Sequence, residues 1–227
     1  MDQKSRLLRI SLDSFWPLLK AGIAFTIPLT LLSFLFGLLL GLLTALARTS
    51  KSPALQSGAR FYVWIFRGTP LLVQLFLIFY GLPSLGILLD AFPAALIGFS
   101  LNTGAYSSET IRAAISAVPR GQWDAAHALG MNGVQLFARV VLPQAARVAA
   151  PPLANSFIAL VKDTSLAATL TVPEMFQVAQ RITAVTYEPM LLYSEAALIY
   201  LIFSSFLSSL QRRLEARLSR HLSPRSA

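Results

Sequence analysis

The sequence predicts an all-α integral membrane domain. Three observations predict it. The chain carries long apolar runs, the first of them, 22–47, uncharged for about 26 residues, which is enough to cross a bilayer. Only 13% of residues are charged and 55% are hydrophobic, with a mean hydropathy of +0.62, whereas a soluble domain carries roughly 25% charge. The runs are also continuous and lack the alternation that a barrel strand needs, so each reads as helix.

The first segment, 1–21, interleaves Lys4, Arg6, Arg9 and Lys20 with Leu7, Leu8, Ile10, Leu12, Phe15 and Trp16, the pattern of an amphipathic helix lying in the membrane interface. Ala45-Leu46-Ala47 imitates a signal cleavage site, but the run before it far exceeds the ~7–15 residues of a signal core, so 22–47 is read as a retained first span. Gly37 and Gly41 make a small-xxx-small pair suited to a helix contact. The second span, 61–82, is interrupted by Arg67, Gly68 and Pro70. The third, 91–108, ends near Glu109 and Arg112, three residues apart and read as an interfacial ion pair. The fourth, 148–172, contains Pro151-Pro152 and Lys162-Asp163; the fifth is 189–210, with Glu195 near its outer end and able to reach the interface. Residues 22–211 thus form one transmembrane domain, followed by a basic tail, 212–227. Trp16, Tyr62, Trp64, Tyr187 and Tyr193 fall near span ends, as an aromatic belt would.

Positive residues orient the spans. Arg48, Lys51, Arg60 and Arg67 flank the first loop, Arg112, Arg120, Arg139 and Arg147 the third, and Arg212, Arg213, Arg217, Arg220 and Arg225 occupy the tail. With five spans all three fall on one side, so the expected topology is N-terminus outside and C-terminus cytoplasmic, against the opposing charges of the first segment. The net charge of +9 is thereby a topology signal, with no need of nucleic acid as a partner.

The absences narrow the function. No Cys is present, and His127 and His221 are isolated, so no thiolate or His-cluster metal site is expected. There is no GxxxxGK[ST] loop, HExxH or nucleophile elbow. The chain is therefore expected to be no enzyme, to hold no cofactor and to rely on another polypeptide for any ATP hydrolysis.

Two places put charge at membrane depth. Arg67 lies about seven residues, roughly 10 Å, inside the second span, where an ionised side chain costs about 2.5–3.5 kcal/mol. Gly68-Thr69-Pro70 beside it loosens the helix, and freed backbone is tolerated there only within protein or beside a water-filled cavity. Charge plus helix break marks a ligand or gate site; pairing with a carboxylate or snorkelling to headgroups are the alternatives. The second place is Lys162-Asp163-Thr164-Ser165, with Asn155 and Ser156 about two turns earlier and able to line the same cavity. Its charges serve either as ligand anchors or as gate or interhelix salt bridges.

Between spans three and four, residues 117–143 are polar and helical in pattern. Such an element hung between membrane spans suits docking of a soluble partner. Asp124, Ala125 and Ala126 precede Gly130, and Val140, Leu142 and Pro143 follow. Here Asp124 is expected to start a short helix near its positive end, Ala125 and Ala126 to permit close packing, and Gly130 to allow the turn before a second short helix.

This stretch resembles the EAA coupling loop of ABC-importer permeases, with Asp124 for the usual Glu and Val140 for Ile. Phe66-Arg67-Gly68-Thr69-Pro70-Leu71-Leu72-Val73-Gln74 resembles a segment of the polar amino-acid permeases of the histidine/glutamine/arginine group, as do Gly121-Gln122, Leu142-Pro143-Gln144-Ala145 and 151–166. Leu101-Asn102-Thr103 with 109–116, and 162–169 with Val172-Pro173-Glu174, are similar to L-cystine permeases. The resemblance covers about 20–215. It implies the type I ABC importer transmembrane fold in a bacterial inner membrane and a second permease subunit, often identical. It also implies ATPase subunits carrying ATP and Mg, and a periplasmic or lipid-anchored substrate-binding protein.

The transported substrate is then expected to be a polar amino acid, most specifically L-cystine, with arginine, histidine, glutamine or glutamate as alternatives. Arg67 would hold its α-carboxylate and Asp163 its α-ammonium, with Gly68, Thr69, Asn155, Ser156, Lys162, Thr164 and Ser165 in the same site. An ion-coupled secondary transporter is the rival of a different class; it usually needs more spans and internal repeats, and no convincing repeat is present. A plain membrane anchor would have no use for the charged, broken interiors of spans two and four.

Overall fold

The computed structural model describes residues 3–219, and among these the chain is helical with no strand. α1 (Gln3–Ala21) and α2 (Ile27–Thr49) form one helical run joined by a π turn at Gly22–Thr26. Leu8, Leu12 and Trp16 stay exposed on α1. Its opposite side carries buried Ser14 and Leu18, and Leu18 shares a core with Met175 and Ala179 of α9 (Met175–Thr186) and Ala196 and Ile199 of α10 (Pro189–Ser219). Glu195, expected to reach the interface, is instead buried and accepts a hydrogen bond from Ser14 at 2.6 Å. The sequence pattern shows no partner for it, because Ser14 is 181 positions away.

Gly37 and Gly41 do form a contact face, against α5 (Ala91–Ser116). A Cβ on Gly37 would fall 2.7 Å from Thr103 Cβ, and one on Gly41 2.8 Å from Ser107 Cβ, so only glycine lets the backbones approach this closely. The matched numbers rise together on both helices. α2 and α5 therefore run parallel, as first and third spans must when the chain crosses back between them.

The return is made by α3 (Pro53–Gly68) and α4 (Leu71–Phe76), the latter continued by a π turn and a 3-10 turn to Leu85. The sequence suggests one interrupted span here; the structure bends the two halves by 107°. Pro70 disfavours helical geometry at the residue before it, and Thr69 is accordingly extended at φ −119, ψ 147. Tyr62, placed by the sequence at a membrane boundary, instead donates to Leu101 O at 2.6 Å and fastens α3 to α5.

α6 (Arg120–Ala128) and α7 (Gly133–Leu136) lie between α5 and α8 (Leu142–Asp163), and a π turn links α7 to α8. The fourth span was expected to run through 172. Its α-helix ends at Asp163, and Thr164–Leu170 is a 3-10 turn closed by Thr171 at φ 65. The hydroxyls of Thr164, Ser165 and Thr169 each bond the carbonyl three residues back, which favours the tighter coil. α10 runs on to Ser219, so Arg212 and Arg213 ride on a helix; residues 220–227 of the expected tail, with Arg220, His221 and Arg225, lie outside the described residues.

These helices overlap all five expected spans. By length and composition alone, Gln3–Thr49 and Pro189–Arg213 can cross a membrane, and the bent pair makes a third. α5 is less apolar because it is central: Ser100, Thr103, Ser107 and Ser108 are buried against other helices and need not dissolve in lipid. Leu29, Leu75, Phe99, Leu160 and Leu170 form the core where α2, α4, α5 and α8 meet.

Candidate functional site

The site begins with a backbone problem. Breaking the helix at Thr69-Pro70 strands carbonyls that have no water to turn to. Gln74, on the first turn of α4 and only 5% exposed, answers this: its Nε2 lies 2.9 Å from Phe66 O, 3.1 Å from Thr69 O and 2.9 Å from Thr69 Oγ1. Asn102 of α5 donates to Gln74 Oε1 at 3.0 Å and to Phe66 O at 3.3 Å. In the sequence both residues stand only within motifs. A polar amide four residues after a mid-span proline was the available signal for Gln74; nothing local pointed to Asn102.

The opening so braced is a half-open cavity of about 420 Å³, whose polar wall is Thr69, Asn102, Thr103, Tyr106, Ser156 and Asp163. Three of the sequence candidates therefore converge: Thr69 from the break, and Ser156 and Asp163 from α8. Arg67 stands just behind the wall, its guanidinium 5.3 Å from the centre of the Tyr106 ring. The remaining candidates do not line it. Asn155, one position and so about 100° round the helix from Ser156, accepts from Gln211 of α10 at 3.0 Å. Thr164 is fully buried and bonded to Val161 O, while Ser165 donates to Lys162 O, each at 2.7 Å. Lys162 is exposed and Gly68 ends α3, neither on the cavity wall. A second groove, about 470 Å³ between Ile27, Leu31, Phe157, Ile202 and Phe206, is wholly apolar in character apart from Thr30 and offers no anchor for a charged ligand.

The carboxylate alternative for Arg67 is realised. Its Nη1 is 3.6 Å from Glu109 Oε1. Glu109 also holds the expected pair with Arg112, at 2.9 and 3.1 Å, and accepts from Arg48 at the end of α2. One carboxylate thus ties α2, α3 and α5 through three guanidinium groups. Among the described residues no group of three or more His, Cys, Asp or Glu is placed to hold a metal ion.

The loop between α5 and α8 has the helix, glycine break and second helix that its pattern suggests. Gly130 has φ 73; its N–H bonds His127 O at 2.9 Å and the next N–H, of Met131, bonds Ala126 O at 3.2 Å, a Schellman closure. α7 opens with a capping box between Asn132 and Gln135. Asp124, however, does not start α6. The helix begins at Arg120, because Pro119, which lacks an N–H and has a fixed φ, makes a good residue to precede it. Asp124 sits in the second turn, exposed and beyond the strongest part of the helix dipole. Ala125 is exposed; Ala126 is buried against Ala114, Val118, Leu136 and Val141. Leu142 and Pro143 open α8, both exposed. Leu129 and Val134, either side of the Gly130 break, are 77% and 79% exposed. They were missed in the sequence, where two apolar residues at a polar tip were the only hint.

The break-lined cavity and the helical loop belong together in one class of protein. The chain is a member of the binding-protein-dependent transport system inner membrane components, which it matches over residues 37–220. It is 54% identical over 211 residues to the L-cystine transport system permease protein TcyB of Bacillus subtilis (strain 168), covering 92% of this chain and 90% of that protein. To the histidine/lysine/arginine/ornithine transport system permease protein HisM of Escherichia coli (strain K12) it is 38% identical over 215 residues, 90% of each chain. A crystal structure of an amino acid ABC transporter with histidines superposes with a TM-score of 0.86 at 36% identity, covering 91% of this chain and 97% of that one. An inward-facing MetNI methionine ABC transporter shares the fold at TM-score 0.69 and 18% identity, over 96% and 99% of the two chains. The fold is that of a type I ABC importer permease.

Proposed function

We propose that this chain is the membrane permease of an ATP-driven importer of polar amino acids, with L-cystine as its substrate. The observation that carries this is the cavity at the helix break, with the Asp163 carboxylate in its wall and the Arg67 guanidinium behind Tyr106. A zwitterion offers one carboxylate and one ammonium to such a pair. Thr69, Asn102 and Ser156 supply neutral hydrogen-bonding groups that fix orientation without adding charge. The 54% identity to an L-cystine permease supports the choice of substrate within this class. Similarity to HisM supports a second reading, the same mechanism acting on arginine, histidine, glutamine or glutamate.

In this reading the loop 117–143 faces the cytoplasm and grips a separate ATPase that binds ATP and Mg. Leu129 and Val134 enter an apolar groove on it, and Asp124 and Ala125 lie on the exposed surface of α6. Ala126, Gly130, Leu142 and Pro143 shape the loop and its return into the membrane. A substrate-binding protein delivers cystine on the opposite side, and a second copy of this chain completes the translocation pathway. Closure of the ATPases moves α6 and α7, and through the ends of α5 and α8 this turns the cavity outward.

The test is uptake of radiolabelled cystine, arginine, histidine and glutamine into proteoliposomes holding the permease, its ATPase and its binding protein, with and without internal ATP. ATP-dependent uptake selective for cystine is the expected result. ATP-dependent uptake of another amino acid would replace the substrate, and uptake without ATP would overturn the importer reading.

A further inference from the structure

The ionic cluster behind the cavity has an unusual balance. Among the described residues, Glu109 is the only carboxylate contacting three guanidinium groups, from Arg48, Arg67 and Arg112. The three contacts are unequal. Arg112 makes close bonds at 2.9 and 3.1 Å, and Arg48, whose side chain is 17% exposed, is held closely too. Arg67 is the loose member: at 3.6 Å from the shared oxygen it is beyond good hydrogen-bond distance, although it is only slightly more exposed than Arg112. Its guanidinium is also stacked at 5.3 Å over Tyr106, which itself lines the cavity. Arg67 follows Phe66 and Gly68 follows it, at the very end of α3, where the next residue is already extended. Its long side chain can therefore swing while Gln74 and Asn102 keep the break itself braced.

We propose that Glu109 is an internal surrogate for the substrate carboxylate: it holds Arg67 in the empty permease and surrenders it when an α-carboxylate enters the cavity beside Tyr106. Arg48 and Arg112 keep Glu109 compensated when Arg67 leaves, so the exchange strands no buried charge. The swing gives up only one long, partly exposed contact, while the cation stays over the same aromatic face. As the substrate departs, Glu109 recaptures Arg67, which favours release. Glu109 is thus a positioning residue acting through Arg67. This inference rests on the proposed role of the cavity as the transport site.

Competition of this kind raises the apparent dissociation constant by the reciprocal of the fraction of time that Arg67 is free of Glu109. The test is equilibrium binding of radiolabelled cystine to the assembled permease–ATPase complex without its binding protein, with uptake kinetics alongside. Glu109→Gln, which keeps shape and hydrogen bonding, is expected to bind cystine about two- to fivefold more tightly and to release it more slowly, lowering KM and kcat together. Glu109→Asp, one methylene further from Arg67 but still charged towards Arg48 and Arg112, is expected to fall between. Glu109→Gln combined with Arg67→Gln should bind no more tightly than Arg67→Gln alone. Unchanged or weaker cystine binding in Glu109→Gln, or in Glu109→Asp should the first variant fail to assemble, would overturn the exchange. If Arg67→Gln itself binds like the unaltered complex, the carboxylate role of Arg67 fails, and the exchange with it. If Arg67→Gln loses binding while both Glu109 variants leave it unchanged, the site stands and only the exchange is lost.

Discussion

The loop 117–143 and the cavity at Thr69-Pro70 solve the same problem, an interrupted helix, in opposite ways. The loop closes its ends locally: Gly130 and Met131 bond back to α6, and Asn132 and Gln135 cap each other. The cavity closes its ends at a distance: Gln74 reaches back across the break, and Asn102 crosses from a helix 28 and 36 positions away. A locally closed element can move as a unit without losing its hydrogen bonds. A break held by long-range amides is fixed in place and leaves a polar opening with a defined wall. The first arrangement suits a lever and the second a binding site.

The difference can be broken most severely at Gln74. Gln74→Leu keeps the bulk and strands the groups that Gln74 satisfies, each costing about 1–3 kcal/mol when left buried and unpaired. A marked fall in the melting temperature of the detergent-purified complex, with lost uptake, is the expected result. Leu129→Asp tests the other region. The loop should fold as before, since Leu129 is 77% exposed and belongs to none of the buried clusters among the described residues, while ATPase binding weakens by tenfold or more. Titration of labelled ATPase onto reconstituted permease reads this directly, and unaltered affinity would remove Leu129 from the interface. The smallest effect is expected for Asn132→Ala, which removes a helix cap worth about 0.5–2 kcal/mol from an exposed turn. Proteolysis at the loop should quicken while cystine binding stays unchanged.

This contrast also explains what was legible in the sequence. Gly130 and the two short helices were read from a few neighbouring residues because their bonds are between neighbours. Asp124 does not open α6 because the helix starts right after Pro119, upstream of the Asp124-Ala125-Ala126 motif. At the cavity, Pro70 announced the break and Asp163 the charge, and both take part. The 107° bend, the brace from Asn102 and the hold of Glu109 on Arg67 depend on which helices become neighbours, information that no local pattern carries. Asn155 and Thr164 are near the site only along the chain of the fourth span; helical geometry turns one towards Gln211, and the 3-10 turn after α8 buries the other. The parallel seam of α2 and α5 was half legible, since Gly37 and Gly41 marked a contact face but not its partner.

The most direct test of a cavity separate from its lever is the ratio of ATP hydrolysed to cystine imported in proteoliposomes carrying Asp163→Asn. The substitution keeps the size of the side chain and removes the charge that would hold the ammonium group, leaving α6 and α7 untouched. The expected result is an assembled complex that hydrolyses ATP at its basal rate and imports almost no cystine. Import at the unaltered rate and ratio would contradict the assignment of this cavity as the transport site.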